Sequence, residues 1–179
     1  MTVEPYRSIL PITHRFVEAA QQAGFALMPD LNGRTIEGVG YSQMSKRQRW
    51  RQSSTTFLAR ARGRQGLRIE TGALVSRLQF EGRRCTGAVF QRDGTQTLVT
   101  ARREVILCAG AIHSPQLLQL SGVGPAETLR TLGVEVVAEH PGVGRNLSDH
   151  YFVPVSMRAR DCVTINRLRR FPDSAWEAL

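Results

Sequence analysis

The stretch from Gly66 to Thr100 constrains the fold most, because its apolar residues recur at every second position and turn signals interrupt it. Leu74, Ser76, Leu78 and Phe80 alternate with Val75, Arg77 and Gln79, a period that puts successive side chains on opposite faces of a strand. EGRR (81–84) turns the chain into a strand from Cys85 to Gln91. Arg92, Asp93 and Gly94 then carry the Asp-Gly signal of a tight hairpin, and Thr95 to Thr100 follows as a further strand. With a short strand at Leu67 to Thr71 ahead of them, these segments predict an antiparallel meander.

Glu104 to Cys108 (EVILC) reads differently, as a nearly continuous apolar run that suits a strand buried on both faces of a parallel or mixed sheet. It ends in Ala109 and Gly110. Ser114, with Pro115 at the first helical position, opens a helix through Leu120 that Gly122 stops. Pro125 begins another helix, ending at Gly133, and Val134 to Val137 is a further strand. Upstream, Phe16, Val17, Ala20 and Ala23 recur at helical spacing between Ile12 and Gly24. DLNGRTIEGVGY (30–41) reads as an ordered loop, and Ser53 or Ser54 caps a helix through Phe57 and Ala61.

Composition narrows the function classes. An apolar share of 41% is that of a packed globular chain. No run approaches a membrane span, and the opening MTVEPYRSILPITH lacks the pattern of a signal peptide. Cys85, Cys108 and Cys162 are odd in number and widely spaced, giving neither a disulfide framework nor a zinc pattern; a reducing cytoplasm fits them. The net charge of +9 comes from 24 Lys plus Arg against 15 acids, and Lys46 is the sole lysine. The arginines are scattered in small groups (47, 49, 51; 60, 62, 64; 102, 103; 167, 169, 170), with few aromatics among them. That is the pattern of a solvated surface, and no nucleic-acid partner is expected.

A buried strand ending in small residues just before a helix start lets a phosphate or ribose approach the bare backbone and meet free N–H groups. Ala109, Gly110 and Ala111 are the candidate approach point, with a tight packing turn as the alternative. The run Gly110 to Gly124 (GAIHSPQLLQLSGVG) resembles the second signature of the glucose-methanol-choline (GMC) family of flavin oxidoreductases. EVILCA before it, PAETLRTLGVEVVAEHPGVGRNLSDH after it, and upstream DLNGRTIEGVGY, RWRQSSTTFL and GALVSRLQFEGRRCTGAVF are similar to the same family in the same order.

The resemblance implies a mixed α/β fold: a partial FAD-binding doubly wound domain with an antiparallel meander, and the start of a substrate-domain sheet. Residues 1–66 would form the helix and loop region at the junction, 67–150 the partial FAD-binding domain, and 151–179 the start of the substrate domain. It implies oxidation of small-molecule alcohols by hydride transfer to FAD. Val75 matches the position whose backbone contacts the adenine; Ala109 and Gly110 match the strand end beside the dinucleotide. Tyr151 and Phe152 are the candidate substrate-binding residues, through their ring faces or as an apolar wall, with core packing as the plainer reading.

Two family features are missing. No Gly-x-Gly-x-x-Gly occurs, since Gly38 and Gly40, Gly122 and Gly124, and Gly142 and Gly144 each lack the third glycine. The family's catalytic histidine lies far downstream of the segment matched by Gly142 to His150. No catalytic residue is therefore assigned here: His14, His113 and His140 read as surface or turn residues, and Asp149 and His150 as a structural or near-flavin pair. No metal site is expected. The chain is read as a segment of an enzyme without turnover of its own, completed by a complementary chain or a homo-oligomer. A non-catalytic interaction module and an Arg-rich nucleic-acid binder are the rival readings.

Overall fold

The computed structural model describes residues 1–6, 9–48, 50–164 and 166; Arg49 and the arginines at 167, 169 and 170 lie outside them. The chain divides into two compact units, Met1–Leu67 with the segment from Pro154 onward, and Arg68–Val153.

In the first unit, α1 (Pro11–Gln22) begins with Pro at its first turn, where an absent N–H costs no helical bond, and buries Val17. It closes as the sequence predicts: Gly24 N–H donates to Gln21 O and Phe25 N–H to Ala20 O, both at 3.0 Å, in a Schellman arrangement. A three-stranded antiparallel sheet in the order β1 (Val3–Pro5), β2 (Gln43–Arg47), β3 (Trp50–Arg51) is a finding the sequence did not announce. Its residues carry no apolar alternation, and backbone pairing holds it, with Thr2 N–H donating to Gln52 Oε1 at 2.6 Å. The 30–41 segment is a loop as expected, pinned where Met28 N–H donates to Val39 O at 2.7 Å. The helix α2 (Thr55–Ala61) follows; the Ser53 hydroxyl, rather than that of Ser54, accepts from the backbone at Thr55.

In the second unit, β4 (Leu74–Glu81), β5 (Arg84–Arg92) and β6 (Thr95–Thr100) form the expected meander in that spatial order. Asp93 and Gly94 both take positive φ, +49° and +76°, the backbone of a two-residue hairpin whose twist matches the strands. An extra residue at Ser76 makes a bulge in β4, and the Ser76 hydroxyl donates to Val89 O. Leu67 to Thr71 is not a strand. Its polar residues pair with side chains instead: the Glu70 carboxylate accepts from Arg68 and, at 2.8 Å, from Arg92 Nη1. The Arg68 hydrogen bond foremost, and the nearby guanidinium charges, hold the Glu70 carboxyl below its ordinary value.

Two further expectations are corrected. Glu104 to Cys108 is irregular and Ile106 is 76% exposed, because among the described residues no strand lies beside it to complete a ladder or cover its faces. The helix α3 (Gly110–Leu120) starts before the expected Ser114, so that Pro115 stands inside it. Pro115 brings no N–H to the carbonyl four residues earlier, and the helix begins through the preceding turn instead.

The helix α3 packs on β4, and Leu78, Val89, Leu117, Ala126 and Leu129 are the buried apolar residues of this unit. Between strand and helix the buried Ser121 hydroxyl accepts from Leu78 N–H at 2.7 Å and donates to Leu117 O at 2.6 Å. It thereby satisfies an amide on the otherwise open side of β4. The short helix α4 (Ala126–Thr131) buries Leu129 completely. The strand expected at Val134 to Val137 lies one step later, as β8 (Ala138–Glu139), paired parallel with β7 (Val123–Gly124). Residues 151–160 form no helix or strand. The architecture is mixed α/β with antiparallel sheets. Among the described residues no helix is long and apolar enough to cross a membrane.

Candidate functional site

Two glycine-bearing segments of the second unit face each other. One is the first half of α3, and the other is the loop from Gly142 to Ser148. Between them runs an open groove of about 660 Å³, within the range of small-molecule sites, with Ala111, Ser114, Pro115 and Gln119 on one wall and Arg145 and Asn146 on the other. Gln119 fixes the second wall to the first: its Nε2 donates to Val143 O at 3.1 Å. Gly144 lies against the same amide with φ +80°, and a Cβ there would stand 2.5 Å from Gln119 Nε2. The positive φ favours glycine here, while the carboxamide it touches is the movable end of a side chain.

At the helix start, Ala109 N–H donates to Ser114 Oγ at 3.1 Å, a local bond that sets the turn leading into α3. Gly110 has φ +85°, and the space where its Cβ would project is open. Ala109 and Gly110 are both exposed. The backbone here can therefore be approached without a side chain intervening, beside amides that the first helical turn leaves unbonded. The exposed bare turn and the adjoining groove fit a dinucleotide's phosphate and ribose.

The other predicted positions are dispersed. Val75 stands on β4 opposite Phe90, is 41% exposed, and is not part of the groove wall. Tyr151 and Phe152 are 102% and 82% exposed, in an extended stretch beyond the loop, so neither packs into a core. His150 N–H donates to the carboxylate of its own neighbour Asp149 at 2.7 Å, a backbone bond that leaves the imidazole uninvolved. His113 is an exposed residue of α3. His14 Nδ1 shares a hydrogen bond of 2.7 Å with Tyr41 OH, tying α1 to the loop in the first unit. No group of three His, Cys, Asp or Glu among the described residues could hold a metal ion, and Cys85, Cys108 and Cys162 are unpaired. Sequence reasoning missed the Gln119 clamp; its one visible signal was the recurrence of glycine in the 142–144 segment.

The sequence pattern of the family described as GMC oxidoreductase matches residues 1–152. Over 157 residues the chain is 45% identical to the oxygen-dependent choline dehydrogenase of Burkholderia thailandensis, covering 87% of this chain and 28% of that protein. Among solved structures, pyridoxine 4-oxidase from Mesorbium loti is similar with a TM-score of 0.77 and 33% identity, over 83% of this chain and 30% of that one. An FAD-dependent oxidoreductase from Chaetomium thermophilum is similar with a TM-score of 0.76 and 29% identity, over 82% of this chain and 26% of that one. The chain thus spans less than a third of the length of these relatives.

Proposed function

The chain belongs to the GMC oxidoreductase family, and from that premise we propose that it forms one wall of an FAD site in an enzyme oxidising the CH–OH group of small alcohols. The observation that carries this reading is the exposed turn at Ala109 and Gly110 beside the groove, where Gly110 carries no side chain and the space in front of it is open. Bound FAD would supply the hydride acceptor.

The chain's own residues do the holding. Ala109 and Gly110 expose backbone to the dinucleotide, and the first amides of α3 receive its negative charge. Val75 offers the backbone of β4 to the adenine. Tyr151 and Phe152 are the proposed substrate-side pair, and their exposed ring faces suit a cationic or apolar alcohol. The named choline dehydrogenase relative favours choline-like alcohols as the substrate class.

No residue of this chain is assigned as the base that takes the hydroxyl proton, and no Gly-x-Gly-x-x-Gly cradles the pyrophosphate. These 179 residues are accordingly proposed to bind without turning over, a complementary segment or chain supplying both parts. The three unpaired cysteines support a reducing, cytoplasmic setting.

FAD titration followed by flavin fluorescence tests the proposal. Saturable binding is expected, weakened at least about tenfold by Gly110→Val, whose side chain would enter the approach path, and likewise by Val75→Arg. A folded chain that shows no saturable binding, or binds equally well with both substitutions in place, would overturn it.

A further inference from the structure

Among the described residues, the walls of the groove between α3 and the 142–148 loop carry a single charged side chain, Arg145, and no acid. Its guanidinium makes no ion pair or hydrogen bond with any described residue. Asp149, the acid nearest to it in sequence, is not part of the lining, and its carboxylate accepts from His150 N–H at 2.7 Å. The positive charge is therefore unshared, and it faces a cavity in which nothing of opposite sign competes for it.

The arginine also stands on a fixed base. Arg145 N–H donates to Gly142 O at 3.2 Å and Val143 N–H to His140 O at 3.1 Å, which closes the turn that carries it. Val143 O is in turn held to α3 by the Gln119 carboxamide at 3.1 Å. Asn146 follows with φ +58°, a left-handed backbone that Asn takes more readily than most residues with a side chain. A backbone ordered in advance lowers what a ligand must spend on ordering the loop when it binds.

We propose that Arg145 is the specificity-determining residue of this groove, selecting ligands that carry a phosphate or pyrophosphate over their uncharged counterparts. The assignment rests on the FAD reading above and names the charge that the pyrophosphate meets on the loop wall. A planar guanidinium presents two parallel N–H donors to two phosphate oxygens, a match that a point charge lacks. A cavity of about 660 Å³ is far larger than a bare phosphate, so the ligand it suits is a phosphate attached to a larger body, as in a nucleotide. Because the groove is open and Arg145 exposed, the attraction should weaken as salt rises.

Isothermal titration calorimetry on the full chain tests this with matched ligands, FAD against riboflavin and ADP against adenosine. The unsubstituted chain should bind the charged member of each pair more tightly, with the gap narrowing at high salt. Arg145→Gln should weaken FAD and ADP at least about tenfold and change riboflavin and adenosine by less than about twofold. Arg145→Lys, which keeps the charge and loses the fork, should fall between the two. Both variants remove an exposed, unpaired side chain and should melt with the parent. Equal weakening of charged and uncharged ligands would reduce Arg145 to a structural part of the loop, and unchanged affinity for FAD and ADP would remove it from the site. Either result overturns the assignment while leaving FAD binding in place. ADP binding that depends on Arg145 in a chain indifferent to FAD would do the reverse, upholding the assignment and sinking the FAD reading. A folded chain that takes up neither FAD nor ADP would sink both.

Discussion

Ser121 is the clearest case of one polar atom doing two structural jobs, accepting from Leu78 N–H and donating to Leu117 O in a buried position. Its removal strands an amide and a carbonyl at once. Ser121→Ala should therefore cost about 1–3 kcal/mol, the usual penalty for leaving a buried partner unsatisfied. Urea unfolding with an unchanged m-value would check it; a shift within a few tenths of a kcal/mol would show that water reaches both groups. The role of Ser121 was not legible beforehand, since a serine ahead of Gly122 reads as part of a helix stop. Neither was that of Gln119, because a carboxamide's partner 24 residues away leaves no local trace.

At the scale of elements, the candidate groove depends on α3 and the 142–148 loop keeping one separation, which the Gln119–Val143 hydrogen bond holds with Gly144 beside it. Gly144→Ala places a Cβ 2.5 Å from Gln119 Nε2 at a backbone angle that L side chains rarely adopt. The Gln119 carboxamide should swing aside and release Val143 O, and with the strained backbone this should weaken FAD binding several-fold while the meander's far-ultraviolet signal stays unchanged. Equal affinity would place the ligand away from this loop. The meander and α1 were legible because their signals are local: alternation, an Asp-Gly turn, helical spacing and a closing glycine. The 104–108 run misled because its composition describes a buried parallel strand, and burial requires neighbours that the described residues do not provide. The β1–β3 sheet stayed hidden for the converse reason, since backbone pairing between polar segments writes no hydrophobic period. Of the site, the bare turn at Ala109 and Gly110 could be read directly, whereas the opposing wall needed the fold.

Among the described residues, six apolar side chains are buried, five of them in the unit built on the meander, while Phe16, Trp50, Ile106, Tyr151 and Phe152 are all more than two-thirds exposed. A core this small leaves many large apolar side chains in water, so the chain's behaviour in solution should depend strongly on what it meets. Within the better-packed unit, the bond from Ser121 to Leu78 also implies an order in time. It closes a span of 43 residues, whereas two-residue turns close both hairpins of the meander. Short closures cost less entropy and hairpins form in about 1–10 μs, so the meander should assemble first and α3 should dock onto it after the rate-limiting barrier. Stopped-flow kinetics would then separate two kinds of damage: Gly94→Ala should slow refolding, while Ser121→Ala should leave the refolding rate nearly unchanged and accelerate unfolding.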